Sequence, residues 1–376
     1  MLESASSRMA VSRGFRPGSG PGLLPLRRDM GAITLSEVAR HAGVSLATAS
    51  RVLNGSVRTP AESIAVRVRT AARELGYVPN AQAQALARSA TGLIGLVVHD
   101  IADPYFSAIT RGAQRYAWAR NTQVLLVGAE RNEDAELAAA AAFVVHRTQA
   151  IILAGSRREK PDDKLARELG RYIANGGRVV TFGSSTVPGA RHLEIGHRSG
   201  ARRLAEALLA RGIRDYAILA GPPELNTARQ RTEGYLDALS RADLRPLAVV
   251  NGDFTSQGGY SSALACWEQL GSRLASDRVC LLAVNDVMAL GAITAVRSAG
   301  LSVPHDVQVA GFDDIPTLRD FAPALTTFRL PLERMGAMAA EMALAPEAIG
   351  PVEVDGEVVL RESAGGGPAG STGIVL

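Results

Sequence analysis

Leu46, Ala47, Thr48, Ser50 and Arg51 stand close together in the run ITLSEVARHAGVSLATASRVLN, from Ile33 to Asn54. On a helix that turns Ala49, Val52 and Leu53 inward, these five form the outward face. Hydroxyls, a guanidinium and small apolar groups on one short helix are what base edges and phosphates in a DNA major groove accept. Leu46 and Ala47 offer apolar contact only, which suits thymine methyls, unless Leu46 instead packs beneath its own small domain.

Two capped helices must position that face. Thr34 opens a Thr-x-x-Glu capping box closed by Glu37, and Leu35, Val38, Ala39 and Ala42 recur at helical spacing. Gly43 sits where a helix end wants a left-handed residue, and Ser45 restarts the chain as the next N-cap. A third helix is predicted with Thr59 as N-cap, Pro60 at its first position and Glu62 closing a second box, its apolar face made by Ile64, Val68, Ala71, Ala72 and Leu75 and its end set by Gly76. An ordinary helical hairpin would look similar, but the charge is lopsided: residues 1–90 carry twelve Arg against five acidic residues, a net +7 in a chain whose total is +4. Arginines clustered beside a reading helix are the footprint of phosphate contacts.

Five segments follow. Residues 1–29 are rich in Gly, Pro, Ser and Arg without period and read as a disordered extension, with Met30 a candidate start. Residues 30–78 are the helix-turn-helix domain. Residues 79–90 form a linker whose AQAQALAR is too short to hold as an isolated helix. Residues 91–363 are the body. Residues 364–376 are a glycine-rich tail without leucine heptads, so no tetramerising coiled coil is expected. In the body, GLIGLVVHD, TQVLLVGA, QAIILAG, RVVTFG, DYAILAG, PLAVVNGDF, VCLLAVND and VQVAGFDD alternate with Ala-rich helical stretches. Runs apolar on both faces, separated by helices, indicate parallel sheets covered on both sides, and the length favours two lobes with a cleft. The fold class is thus α/β: an all-α headpiece plus a two-lobed core of doubly wound parallel sheets.

Cys266 and Cys280 lie outside any CxxC or Cys/His ligand spacing, so neither a disulfide framework nor a metal site is expected, and no cofactor. No apolar run reaches membrane-spanning length and PGLLPL is too short and broken for a secretory signal, which points to the cytoplasm. There is no GxGxxG after a strand, no P-loop and no nucleophile elbow, so an enzyme is not expected.

Read in order, TLSEVARHAGVS, SRVLNGS, ELGYVPN, IGLVV, DPYF, GPPELNTARQRTEGY, VNDVMALGA, VPHDVQVAGFDD and PALTTFRLPLERMG resemble the LacI/GalR family of bacterial transcription regulators over residues 32 to about 363. The resemblance implies a homodimer with a periplasmic-binding-protein-like core, a pseudo-palindromic double-stranded operator as partner, and a small effector in the cleft, a sugar or a relative of one, controlling a repressor of carbohydrate-metabolism genes. It places Leu46 and Ala47 at operator choice and Arg51 at a base, with Ser45, Thr48, Ser50 and Asn54 in support. Tyr77, Asn80 and Ala83 join the DNA-binding side, and Leu86 takes the place of a hinge leucine that wedges into the minor groove. Gln84 stands where the family carries Arg, with Arg88 as a substitute.

In the cleft, the same resemblance puts Arg231 at the effector arginine and Asn285 and Asp313 at positions that receive hydroxyls, with Phe254, Tyr105 and Phe106 as aromatic faces. Alternatives stay open: Phe106 as core, Asn285 and Asp286 as helix caps, Asp314 as another cap. Gly183 replaces an expected Asp, and Gly196-His197 an expected Asp-Asn pair, so contacts there are altered. His197 reads as a solvent-facing or interlobe residue, not a catalytic one. The competing class is a solute-binding protein with the same core and no DNA role.

Overall fold

The computed structural model describes residues 33–54, 60–78, 91–156, 163–183, 187–347 and 349–365. Two units separate at Gln84 and Ala85. In the first, α1 (Leu35–His41), α2 (Leu46–Asn54) and α3 (Glu62–Leu75) surround a small core in which Val38, Ala49 and Val68 are fully buried. The Thr34 hydroxyl accepts the Glu37 N–H at 3.3 Å while the Glu37 carboxylate accepts the Thr34 N–H at 2.7 Å, so two orphan donors are satisfied reciprocally. Gly43 takes φ +64°, and the Ser45 hydroxyl accepts the Thr48 N–H at 3.2 Å to open α2. Thr34→Ala is expected to cost about 1 kcal/mol of headpiece stability, read as faster amide exchange along α1 in the full-length protein.

The third helix starts later than its sequence suggests. Its N-cap is Ala61, with no side-chain cap, so Pro60 lies outside the helix. The Glu62 carboxylate accepts from Arg69 Nη1 at 3.1 Å, two turns on. Thr59 lies outside the described residues. Gly76, at φ +66°, ends the helix, and the Tyr77 N–H reaches back to the Ala72 carbonyl.

The second unit holds two sheets. β1 (Leu93–Val98), α4 (Pro104–Trp118), β2 (Gln123–Gly128), α5 (Glu133–Val145), β3 (Ala150–Leu153), α6 (Asp163–Ala174), β4 (Arg178–Phe182) and β5 (Arg191–Ile195) begin the first lobe. The second contains α7 (His197–Ala210), β6 (Tyr216–Ala220), α8 (Asn226–Arg241), β7 (Ala248–Asn251), α9 (Ser256–Leu270), α10 (Arg273–Ser276), β8 (Cys280–Ala283), α11 (Asp286–Ser298), β9 (Gln308–Asp313) and β10 (Thr326–Arg329). Then α12 (Leu332–Leu344) and β11 (Val352–Val354) return to the first lobe, and β12 (Glu357–Val359) closes the second. The sheet orders are β11-β5-β4-β3-β1-β2 and β12-β10-β9-β8-β6-β7. All pairings are parallel except β10 with β12.

The central strands AIIL, CLLA and QVAGFD are buried along their whole length, as strands covered by helices on both faces must be. The covering helices touch backbone to backbone. A Cβ on Gly112 of α4 would lie 1.8 Å from the Glu333 carbonyl oxygen, and one on Gly336 of α12 would lie 1.9 Å from that of Ile109. In the second lobe Gly259 of α9 and Gly291 of α11 meet in the same way. No helix among the described residues is long and apolar enough to cross a membrane.

Candidate functional site

In both sheets the strand order reverses at the lobe's first strand, β1 in the first lobe and β6 in the second, each one place in from an edge. Ligands bind open α/β sheets beyond the carboxyl ends of the strands at such reversals. A pocket lies there, holding about 570 Å³ of empty space with its open mouth included.

Tyr105, Phe106, Arg231, Phe254, Asn285 and Asp313 all line it. Asp103 caps α4, its carboxylate accepting the Tyr105 N–H at 2.9 Å, and this turns Tyr105 and Phe106 into the first helical turn with their rings edge to face at 5.0 Å. Phe106 belongs to both readings left open for it, since it is buried in the lobe core and forms pocket wall. Asn285 also plays two parts: it lines the pocket, and its Oδ1 caps α11 by accepting the Met288 N–H at 2.9 Å.

Arg231, on α8, is only 2% exposed. Its Nη2 donates to Asp313 Oδ1 at 2.7 Å, and its Nη1 to Asp313 Oδ2 at 3.3 Å and to the Val284 carbonyl at 2.7 Å. Its Nε donates to His197 Nδ1 at 3.2 Å, and the guanidinium lies over the Phe312 ring, 3.9 Å from the centroid. Burial pushes the Asp313 carboxyl up from its ordinary range, against the pull of Arg231. Asp313 also holds φ +117°, a strained value for a non-glycine residue and of the sort that clusters at ligand sites.

The neighbouring carboxylates serve the fold. Asp286 accepts the Ile315 N–H at 2.9 Å and the Thr327 hydroxyl at 2.7 Å, and burial raises its carboxyl to about 6. Asp314 is not a helix cap; Arg361 and Arg329 bond its carboxylate, reversing the rise that burial alone would cause. His197 is interlobe and not solvent-facing. It is 6% exposed at the start of α7, and its pKa is held well below the ordinary histidine value by burial first and by Arg231 second.

Sequence reasoning missed His99, Asp103, Arg131, Ser156 and Thr227 of the pocket wall. Each follows the carboxyl end of a strand, the one signal that could have found them. Three of them tie the lobes together: Arg131 Nη2 donates to the Phe254 carbonyl at 3.1 Å, and the Ser156 hydroxyl accepts the Thr227 N–H at 3.3 Å. Gly183, at φ +78°, has no side chain to reach across.

On the headpiece, Leu46 is 51% exposed and therefore does not pack beneath the domain. Ala47 and Arg51 are exposed, while Thr48 and Ser50 are half-buried. The Ser45 hydroxyl is engaged with Thr48, and Tyr77 packs against the headpiece core. Asn54 ends α2. Asn80, Ala83, Gln84, Leu86 and Arg88 lie outside the described residues, as do residues 1–32 and 366–376.

Residues 34–80 match the family described as bacterial regulatory proteins, lacI family, and residues 205–364 match a periplasmic binding protein-like domain. The chain is 32% identical over 348 residues to the HTH-type transcriptional repressor PurR of Proteus mirabilis (strain HI4320), covering 89% of this chain and 98% of that protein. It is 33% identical over 316 residues to the HTH-type transcriptional regulator GalR of Escherichia coli (strain K12), covering 83% and 88% respectively. Among solved structures, a lac repressor dimer bound to operator and the anti-inducer ONPF superposes with a TM-score of 0.74 at 27% identity, over 89% of this chain and 99% of that one. The transcriptional regulator CelR in complex with cellobiose gives 0.63 at 27% identity, over 88% and 100%.

Proposed function

The chain belongs to the lacI family of bacterial regulatory proteins, and on that premise we propose that it is a transcriptional repressor that binds a pseudo-palindromic operator as a homodimer and responds to a small molecule held between its lobes. The observation that carries this reading is the end-to-end match to a named repressor, which spans both headpiece and core, 98% of that relative. A solute-binding protein would need only the core. The exposed Leu46, Ala47 and Arg51 support DNA reading, and the pocket around Arg231, Asn285 and Asp313 supports a hydroxylated effector, with genes of carbohydrate metabolism as targets.

The coupling step is mechanical. An effector that favours one angle between the lobes changes the spacing of the two segments at residues 79–90 in a dimer, and DNA affinity changes with no alteration of the reading residues. It is a regulator in the cytoplasm, with no reaction to catalyse.

A gel shift with duplex from its own promoter region against random duplex, at several salt concentrations, tests this. Specific binding should fall steeply with salt. Arg51→Ala should weaken the promoter complex by about tenfold or more while nonspecific binding changes little. No preference for any promoter fragment, with or without candidate ligands, would sink the reading.

A further inference from the structure

We infer that the molecule held between the lobes carries a carboxylate seated on Arg131, so that the effector is a polyhydroxylated acid and not a neutral sugar; this rests on the effector-site reading above. Arg131 follows β2 and forms part of the pocket wall. Its Nη2 is engaged with the Phe254 carbonyl, and its guanidinium faces the Phe254 ring at 5.8 Å. Its Nε–H, however, is buried without an acceptor. A charged donor removed from water and left unmatched is costly, and the fold retains it at the wall of a ligand pocket. Ser262 Oγ, the other such atom among the described residues, lies outside that pocket.

The charge distribution points the same way. Arg231 is neutralised by Asp313 through two bonds. Arg131 has no bonded carboxylate among the described residues. Asp103, on the same pocket wall, interacts with Arg131 only through space, its carboxylate being engaged in accepting the Tyr105 N–H. The neutral groups add donors. His197 Nδ1 accepts from Arg231, which leaves its proton on Nε2, and Asn285 keeps its amide hydrogens because Oδ1 is engaged in capping. The complement of such a wall is a ligand rich in acceptors with one negative charge. A carboxylate supplies a single charge, whereas a phosphate monoester brings nearly two.

Full-length protein titrated calorimetrically with matched pairs, galactose with galacturonate and glucose with glucuronate, tests the assignment. At least one acid should bind about tenfold or more tightly than its neutral partner. Arg131→Met should erase that advantage, and Arg131→Lys should keep part of it, since the charge remains and the Nε–H is lost. Neutral sugars that bind as well as the acids, acids that do not bind at all, or an acid indifferent to Arg131→Met would each overturn it. If Arg131→Met fails to fold, Arg131→Lys and the wild-type pairs still decide. Promoter binding by the same preparations separates the two readings: a protein that shifts its promoter and ignores every acid refutes the carboxylate alone, and one that takes up an acid but no DNA refutes the regulator alone.

Discussion

Arg231→Ala is expected to destabilise the core by about 3–5 kcal/mol and to abolish its response to effector, the first because a buried carboxylate loses its partner. Asp313 is 4% exposed and takes two bonds from Arg231. The pH dependence is diagnostic. Burial already holds the Asp313 carboxyl above its unfolded value. The stability this contributes is complete below the unfolded carboxyl pKa, about 3.9, and is lost as pH rises through the folded one. Without Arg231 the folded value climbs further, so the loss continues to higher pH and the gap from wild type widens on the alkaline side. Denaturant unfolding at about pH 6 and about pH 9 should show the larger gap at the higher pH. The double variant Arg231→Met with Asp313→Leu should recover most of the stability, as buried ion pairs replaced by apolar groups often do, while remaining deaf to effector. A gap that is flat with pH, or a double variant no better than the single, would count against this account of the pair.

Gly336→Ala should lower core stability by about 1–3 kcal/mol or more, since the added carbon would stand 1.9 Å from the Ile109 carbonyl and backbone must move to admit it. The contrast is Gly170, inside α6, where a Cβ meets nothing within 4 Å. There Gly170→Ala should stabilise by about 0.5–1 kcal/mol, through chain entropy alone. Opposite signs for one chemical change, measured by thermal unfolding, would establish that α4 and α12 cross at contact distance because both lack a side chain there.

Local signals in the sequence were read well where the deciding partners are near in the chain. Thr34 with Glu37, Gly43, Ser45 with Thr48, and Gly76 each act within a few residues, and all stand as expected. The third helix takes Ala61 as its N-cap, two residues past Thr59, and the Glu62 carboxylate accepts from Arg69, two turns away. Strand runs such as AIIL and CLLA announce burial on both faces, so the parallel sheets were legible, whereas the antiparallel edge at β12 depends on where the chain re-enters the second lobe. In the pocket, Arg231, Asn285 and Asp313 came from family resemblance. Arg131 did not, because a lone arginine after a strand carries no pattern and its partner, Phe254, is remote in sequence; His197 was marked by the resemblance, but its bond to Arg231 was not legible.

The path of the chain has a consequence for its birth. The first lobe lacks α12 and its edge strand β11 until residues 332–354 have been made, and the second lacks β12 until 359. Neither sheet can be finished while the polypeptide is still emerging, and such remote pairings are slow to form. The three-helix headpiece, whose described helices end at Leu75, closes on local contacts alone. During synthesis, therefore, the part that carries the reading helix is complete long before the part that answers to a metabolite.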